Sequence, residues 1–279
     1  MATQLSLMDL IEQRIAAGKV DLPPANRITA KLQSVTTDPD FAMGDVVELI
    51  SSDQALTTEV LRVANGAFYG GLSQVRSVRD AVVRLGAPEI VRLAVMSGEK
   101  AAYRARTPQL QAMIAPLWQH AVATAMGARW LAKKLGFNNL ENEAFIGGLL
   151  HDVGSLMLVR IIDDLMVAGE LEATLPPAVL VEIIETGHTR RGYELARHWH
   201  LPDIYCDVVR DHHEENLSEA GTLINLVALA DKACVQLGIG LDKDASIRLD
   251  AADEAVMLGA KDLVLAQLSI MLEDTQHLV

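Results

Sequence analysis

Seven residues in this sequence have the types and the order that suit a metal site. They are His120, the pair His151-Asp152, His188, the pair His212-His213, and Asp231. Imidazole nitrogens and carboxylate oxygens together suit Fe, Mn or Zn, and a carboxylate can bridge two ions. The chemistry to expect is therefore a centre for one or two divalent metal ions. An adjacent His-Asp pair can face one centre where a helix is locally distorted, and Gly154, two residues on, permits such a distortion. The pair lies in FIGGLLHDVGSLMLV, an apolar run expected to be deeply buried. A lone carboxylate there is costly unless it meets a cation or a full set of hydrogen bonds.

Each member has a plainer reading when taken singly. His151-Asp152 can be a buried hydrogen-bonded pair. His120, after Trp118, can be a packed or surface histidine. His188, after Gly187 near an expected helix end, can be a cap or loop residue. His212-His213 in RDHHEEN can be surface. Asp231 interrupts an apolar face and can pair with Lys232 or Arg210. It is the ordered set that favours a shared metal site. His198 and His200 flank Trp199 and read as structural or surface, and His277 carries no assignment. Other chemistries are poorly served: Cys206 and Cys234 lack C-x-x-C spacing, VGSLM is not a nucleophile elbow, and Asp163-Asp164 reads as a solvated face.

The elements that must position these residues read as helices. Half of the 279 residues are hydrophobic and 4% are aromatic. That composition favours Leu, Val, Ile, Ala and Met packed between helices over a β-sandwich. No segment alternates strictly with β-branched enrichment, and no glycine-rich phosphate loop follows a strand. Apolar periodicity predicts helices over Leu7 to Ala17, after Pro23-Pro24, over MGDVVELISSD and QALTTEVLRVAN with Asp53 as a cap, over VRDAVVRLG capped by Ser77, and from Pro88. Asp38-Pro39-Asp40 reads as a turn, and Asn65-Gly66 with Gly70-Gly71 as the bounds of a loop. Longer helices are expected from about Leu110 to Leu135 and from Glu141 to Ile162, the second interrupted near Gly154. Pro176-Pro177 opens AVLVEIIETG; RRGYELARHW, IYCDVVRDHH, TLINLVALADKACVQLG and AKDLVLAQLSIML follow.

The net charge of −13 makes the chain a poor partner for nucleic-acid phosphates. Arg76, Arg79, Arg84 and Arg92 gather locally, but Asp80 and Glu89 interleave with them, so the cluster reads as a solvated face. Two cysteines form no disulfide framework and suit a reducing cytosol. The N-terminal residues lack a secretory signal's apolar stretch, and the apolar run from Ala144 to Ile162 carries His151, Asp152 and Arg160. The expectation is a cytoplasmic protein with no membrane and no nucleic-acid partner.

The order His, His-Asp, His, His-His, Asp resembles the ligand order of the HD superfamily of metal-dependent phosphohydrolases, and the fuller set of its HD-GYP branch. The blocks LPPANRITAKLQSVTTDPDF, VVELISSDQALTTEVLRVANGAFYGG and VRSVRDAVVRLGAPEIVRLAV resemble a narrower group, the HDOD domain of bacterial signalling proteins. The likeness continues through LWQHAVATAMGARWLAKKLG, EAFIGGLLHDVGSLML and HWHLPDIYCDVVRDHH, and runs from about Leu22 to Asp231.

The resemblance implies an all-α fold, an HD-superfamily helical domain with an N-terminal helical lobe. It implies an N-terminal helix over 1–21, the N-terminal lobe over 22–107, the HD-type lobe over 108–240 and a helical extension over 241–279. His120, His151, Asp152 and Asp231 would surround one ion, and Asp152 would bridge to a second held by His188, His212 and His213. The sequence departs from the phosphodiesterase branch in three places. Ser155 stands where that branch has lysine, EENLSEAGT replaces its Gly-Tyr-Pro loop, and Pro116 takes the place of a glutamate. HDOD members are regulatory outputs of signalling without a settled activity. The expected function is thus a metal-binding signalling domain acting through protein partners. The alternatives are a working phosphohydrolase on a nucleotide or other phosphoester ligand, and a metal-free scaffold.

Overall fold

The computed structural model describes residues 7–17, 43–51, 54–66, 69, 74–100, 102–214 and 221–275, with the side chains at 45, 49, 55, 98 and 99 excepted. Among these residues the regular structure is helical, without strands. The helix expected after Pro23-Pro24, the turn at Asp38-Pro39-Asp40, the cap at Asp53, the bound at Gly70-Gly71 and His277 lie outside the described residues.

Two compact units are present. The smaller holds α2 (Met43–Ser51), α3 (Gln54–Ala64), α4 (Val78–Leu85) and α5 (Ala87–Lys100). Their apolar faces meet around Val46, Ile50, Val60, Ile90 and Leu93. Ser77 caps α4 as its sequence predicts, its hydroxyl accepting from the Asp80 N–H at 3.1 Å. The basic cluster is not a uniformly solvated face, because Glu89 and Arg92 are buried. They pair at 2.6 Å, and Tyr69 donates to Glu89 at 2.5 Å. Once three turns of α5 face inward, a charge on that face must find its partner inside.

The larger unit joins α1 (Leu7–Ala16) to residues 104–276. Its helices are α6 (Pro108–Lys134), α7 (Glu141–Leu150), α8 (Val153–Val167), α9 (Pro177–His198), α10 (Asp203–Asp211), α11 (Thr222–Leu237), α12 (Asp253–Leu258) and α13 (Asp262–Thr275). Pro108 and Pro177 sit in first turns, where a missing N–H costs nothing. Helix α11 is central: Leu226 through Ala230 are fully buried, and α6, α7, α10, α12 and α13 pack on it. The segment Asn138–Val167 is apolar enough in composition to cross a membrane. It is broken after Leu150, however, and 78% of its most apolar window is buried inside the protein.

The interruption expected near Gly154 is present: the break between α7 and α8 falls at His151-Asp152, and Gly154 itself lies inside α8. Two expectations are corrected here. Helix α9 runs through Gly187-His188 without ending, because Gly187 faces Leu158 of α8 at a distance that only a bare Cα fits comfortably. Asp163 is not solvated. It is buried at the start of α6, where Oδ1 accepts from the Thr107 N–H at 2.8 Å and Oδ2 from the Arg106 N–H at 2.9 Å.

Asp163 thus supplies from a distant helix the N-terminal cap that Thr107 does not provide. Burial would raise its pKa, but the Arg106 and Thr107 amides and the Arg106 guanidinium outweigh burial and lower it. A depressed carboxyl pKa stabilises the fold above the unfolded value of about 3.9, and that gain disappears as pH falls through the folded value. Asp163→Asn is therefore expected to cost about 1.5–3 kcal/mol at pH 7. The gap to wild type should close as pH falls below about 4. Urea melts of both proteins at the two pH values test this, and a gap that persists in acid refutes the capping role.

Candidate metal centre

The seven candidate residues come from five places in the chain and meet in the larger unit. His120 lies in the middle of α6, His188 in α9 and Asp231 in α11. His212-His213 directly follows α10. Asp152 has non-helical angles (φ −104°, ψ 19°), and this one-residue interruption lets His151 and Asp152 face the same centre.

Four rings are oriented the same way. Nδ1 lies 2.9 Å from the Ile239 carbonyl in His120 and 2.7 Å from the Gly148 carbonyl in His151. In His188 it lies 2.8 Å from the Glu185 carbonyl, and in His212 3.0 Å from the Val208 carbonyl. A carbonyl only accepts, so Nδ1–H must donate, and the neutral ring then keeps its lone pair on Nε2. These Nε2 atoms face one another: His120 and His151 at 3.2 Å, His188 and His212 at 3.4 Å. Two lone pairs do not meet at such a distance without a positive charge between or beside them.

Each ring pair shares one carboxylate oxygen. Asp231 Oδ1 is 3.0 Å from His120 Nε2 and 3.8 Å from His151 Nε2. Asp152 Oδ1 is 3.3 Å from His188 Nε2 and 3.7 Å from His212 Nε2, and although buried it makes no hydrogen bond. Three sets of donor atoms lie close enough to share an ion: His120, His151 and Asp231; His151, Asp152 and His212; His188, His212 and His213. His213 is half exposed, with Nδ1 3.7 Å from Asp231 Oδ2. His198 and His200 are exposed and apart from the cluster.

The electrostatics alternate around the cluster. Burial lowers the pKa of His120, but Asp231 overrides it and holds the ring near 9. Burial drives His151 down to about 3, helped by His212 and His120. His213 falls to about 4 through burial and His212. Burial also works against His212, yet Asp152 raises it. Burial would raise both carboxyls. His188 and His151 instead hold Asp152, and His120 holds Asp231, well below the usual range. Two ionised carboxylates are thus balanced by protons on rings, in positions where a divalent ion can replace those protons. The donor set, the facing Nε2 atoms and the unbonded Asp152 oxygen all fit such an ion.

Beside the cluster lies a cavity of about 410 Å³. It is lined by His120, Asp152, His188 and Asp231 and also by Ser155, Thr189, Glu185 and Asp242. Sequence reasoning missed the last two. Glu185 sits one turn before His188, a spacing that would have exposed it had α9 been read as continuous; nothing in the sequence ties Asp242 to the cluster. The arginines near these residues in sequence do not line the cavity. Arg190 and Arg191 pair with Glu194, Arg191 also with Glu12, and Arg210 with Asp207 and Asp211. Asp231 pairs with histidine rather than with Lys232, which is 2.5 Å from Glu254.

Comparison with known proteins follows the same lines. The family model of the HDOD domain matches residues 22–215. A Geobacter sulfurreducens HDOD domain protein of unknown function is similar in structure over 97% of both chains (TM-score 0.76, 24% identity). A Shewanella amazonensis protein provisionally called a metal-dependent phosphohydrolase is similar over 99% of both (TM-score 0.72, 16% identity). An uncharacterized protein of Treponema pallidum is 30% identical over 219 residues, 76% of this chain; the chain spans only 42% of that protein's length.

Proposed function

Since the chain belongs to the HDOD domain family, we propose that it is a signalling protein whose histidine–aspartate cluster holds one or two divalent metal ions. The observation that carries this reading is the orientation of the four rings. Each donates Nδ1–H to a main-chain carbonyl and turns Nε2 toward a shared carboxylate oxygen. Such outer hydrogen bonds fix ring tautomer and rotation before any ion arrives. His120, His151 and Asp231 would hold one ion and His188, His212 and His213 a second, with Asp152 between them. The mixed N and O donors suit iron, manganese or zinc. A bound ion would supply a Lewis acid and a cross-link between five helices.

The chain's own residues favour a regulatory role over hydrolysis. Ser155 is buried at the cavity wall and offers a hydroxyl but no charge, and no lysine or arginine lines the cavity among the described residues. Its output, on this reading, is a contact with a signalling protein partner in the cytoplasm. A structural relative from Marinobacter aquaeolei is itself provisionally called a signal transduction protein (TM-score 0.67, 23% identity, 94% of this chain, 59% of that chain).

Elemental analysis of anaerobically purified protein tests the centre. Wild type should carry at least one divalent ion per chain and Asp152→Ala none, and chelation should lower the wild-type melting temperature. Equal melting with and without metal, or metal retained by the variant, contradicts the reading. Metal-dependent turnover of a phosphoester that Asp152→Ala abolishes would promote the hydrolase instead.

A further inference from the structure

Three of the four oriented rings find the partner of Nδ1–H close by in the chain. His151 uses the carbonyl of Gly148, His188 those of Ile184 and Glu185, and His212 that of Val208, each about one helical turn back. His120 is the exception. Its partner, the Ile239 carbonyl, comes 119 residues later, from the turn that follows α11. Helix α11 also supplies Asp231, whose Oδ1 lies 3.0 Å from His120 Nε2. One helix and its closing turn thus hold the ring at both nitrogens.

That turn is tied to the helix at both ends. Gly238 ends α11 in the left-handed conformation (φ 75°, ψ 33°), and the Ile239 N–H returns to the Cys234 carbonyl at 2.9 Å. Further on, the Asp244 N–H donates to the Val235 carbonyl at 3.1 Å. The Ile239 side chain is buried in the core around α11. A bonded N–H and a buried side chain leave its carbonyl little freedom to turn from His120. Gly240 then lies against the imidazole. Its φ of 136° is one that L side chains rarely adopt, and a Cβ there would stand 3.2 Å from His120 Nδ1 and 3.3 Å from His120 Cβ and Cγ. The histidine is itself buried, so it can make room only by turning about its own side-chain bonds. Any such turn carries Nε2 away from Asp231 and from His151, whose Nε2 is 3.2 Å off.

We infer that Gly240 is a positioning residue of the metal centre: its bare Cα, together with the Ile239 carbonyl, aims His120 Nε2 at the ion shared with His151 and Asp231. The inference rests on the metal reading above, but the aim of the ring can be measured without metal. It makes the two ions unequal. The ion at His120 depends on a turn far along the chain, whereas His188 and His212 are set by carbonyls of their own stretch of helix.

The test compares Gly240→Ala with Gly136→Ala, a control whose glycine also has positive φ (88°) but has nothing within 4 Å of its Cβ position. In NMR spectra of metal-free protein isotopically labelled at histidine, Gly240→Ala should shift or lose the His120 Nδ1–H signal and leave those of His188 and His212 in place. In calorimetric titration of metal-free protein with zinc, the same variant should weaken one binding step by about tenfold or more and spare the other, the usual effect of disturbing the outer hydrogen bond of a metal-binding histidine. Gly136→Ala should match wild type in both measurements. Ile239→Ala loosens the turn from the core without adding an atom beside the ring; it should show part of both effects and serves if Gly240→Ala does not fold. An unmoved His120 signal in folded Gly240→Ala, or equal losses in the two glycine variants, would overturn the inference. Wild type that takes up no zinc would overturn the metal reading instead, and the NMR comparison would still decide whether Gly240 aims the ring.

Discussion

Gly154→Ala is expected to destabilise the protein by about 3 kcal/mol, the upper end of what an extra methyl group in a packed interior costs. A Cβ at position 154 would lie 1.9 Å from the His188 carbonyl oxygen and 2.6 Å from the Gly192 backbone nitrogen. Both obstacles are backbone, so no side chain can rotate away. Helices α8 and α9 would have to separate, and they carry Asp152 at the start of one and His188 in the middle of the other. Gly147→Ala is the control on the neighbouring helix, since its Cβ would first meet a Val227 methyl at 3.4 Å. Denaturant melts should show a lowered midpoint for the first variant and a near-native one for the second. A Gly154→Ala protein as stable as wild type would mean that the two helices are not held at this spacing.

Asp231→Ala should cost about 3 kcal/mol even in chelator, where no ion contributes. Asp231 is buried, with carboxylate oxygens 3.0 Å from His120, 3.8 Å from His151 and 3.7 Å from His213. Removing it leaves His120 facing His151 across 3.2 Å with no negative charge from α11 to hold the proton between them. The cost is then that of a buried cationic ring without its partner, or of the same ring forced neutral. Asp231→Asn keeps the volume and a hydrogen-bonding oxygen and should recover part of the loss. Equilibrium melts of both variants near neutral pH measure the difference. If Asp231→Ala melts like wild type, the carboxylate does not organise the cluster in the metal-free protein.

The sequence displayed the cluster better than its setting. Histidine and aspartate stand out in helices of Leu, Ala and Val, so the ordered set was visible before any geometry. The all-helical fold was visible too, from apolar periodicity and from prolines at first turns. Burial of charge outside the cluster was not. Asp163 and Asp164 are chemically alike and adjacent, yet only the first bonds the main-chain amides at the start of α6 while the second meets the Arg106 side chain, and that depends on a helix more than fifty residues away. The same limit hid Glu89 and Arg92. Gly187 misled because glycine commonly ends a helix, whereas here close packing against Leu158 keeps it inside one. Glu185 and Asp242 line one cavity from a helix and from the chain after α11, and nothing local announces such a meeting.

The order in which the chain is made gives α1 an unusual wait. Ile11 is fully buried in the larger unit, and two ion pairs tie the helix down: Arg14 to Glu170 at 3.0 Å, and Glu12 to Arg191. Yet Arg14 and Glu170 are 156 residues apart. On a ribosome moving at about 5–20 residues per second, α1 emerges roughly 8–30 s before Glu170 exists to receive it. A ten-residue helix is marginal by itself in water. Helix α1, made well before its partners, is therefore among the later elements to settle, and the nascent chain exposes its apolar stripe throughout that delay.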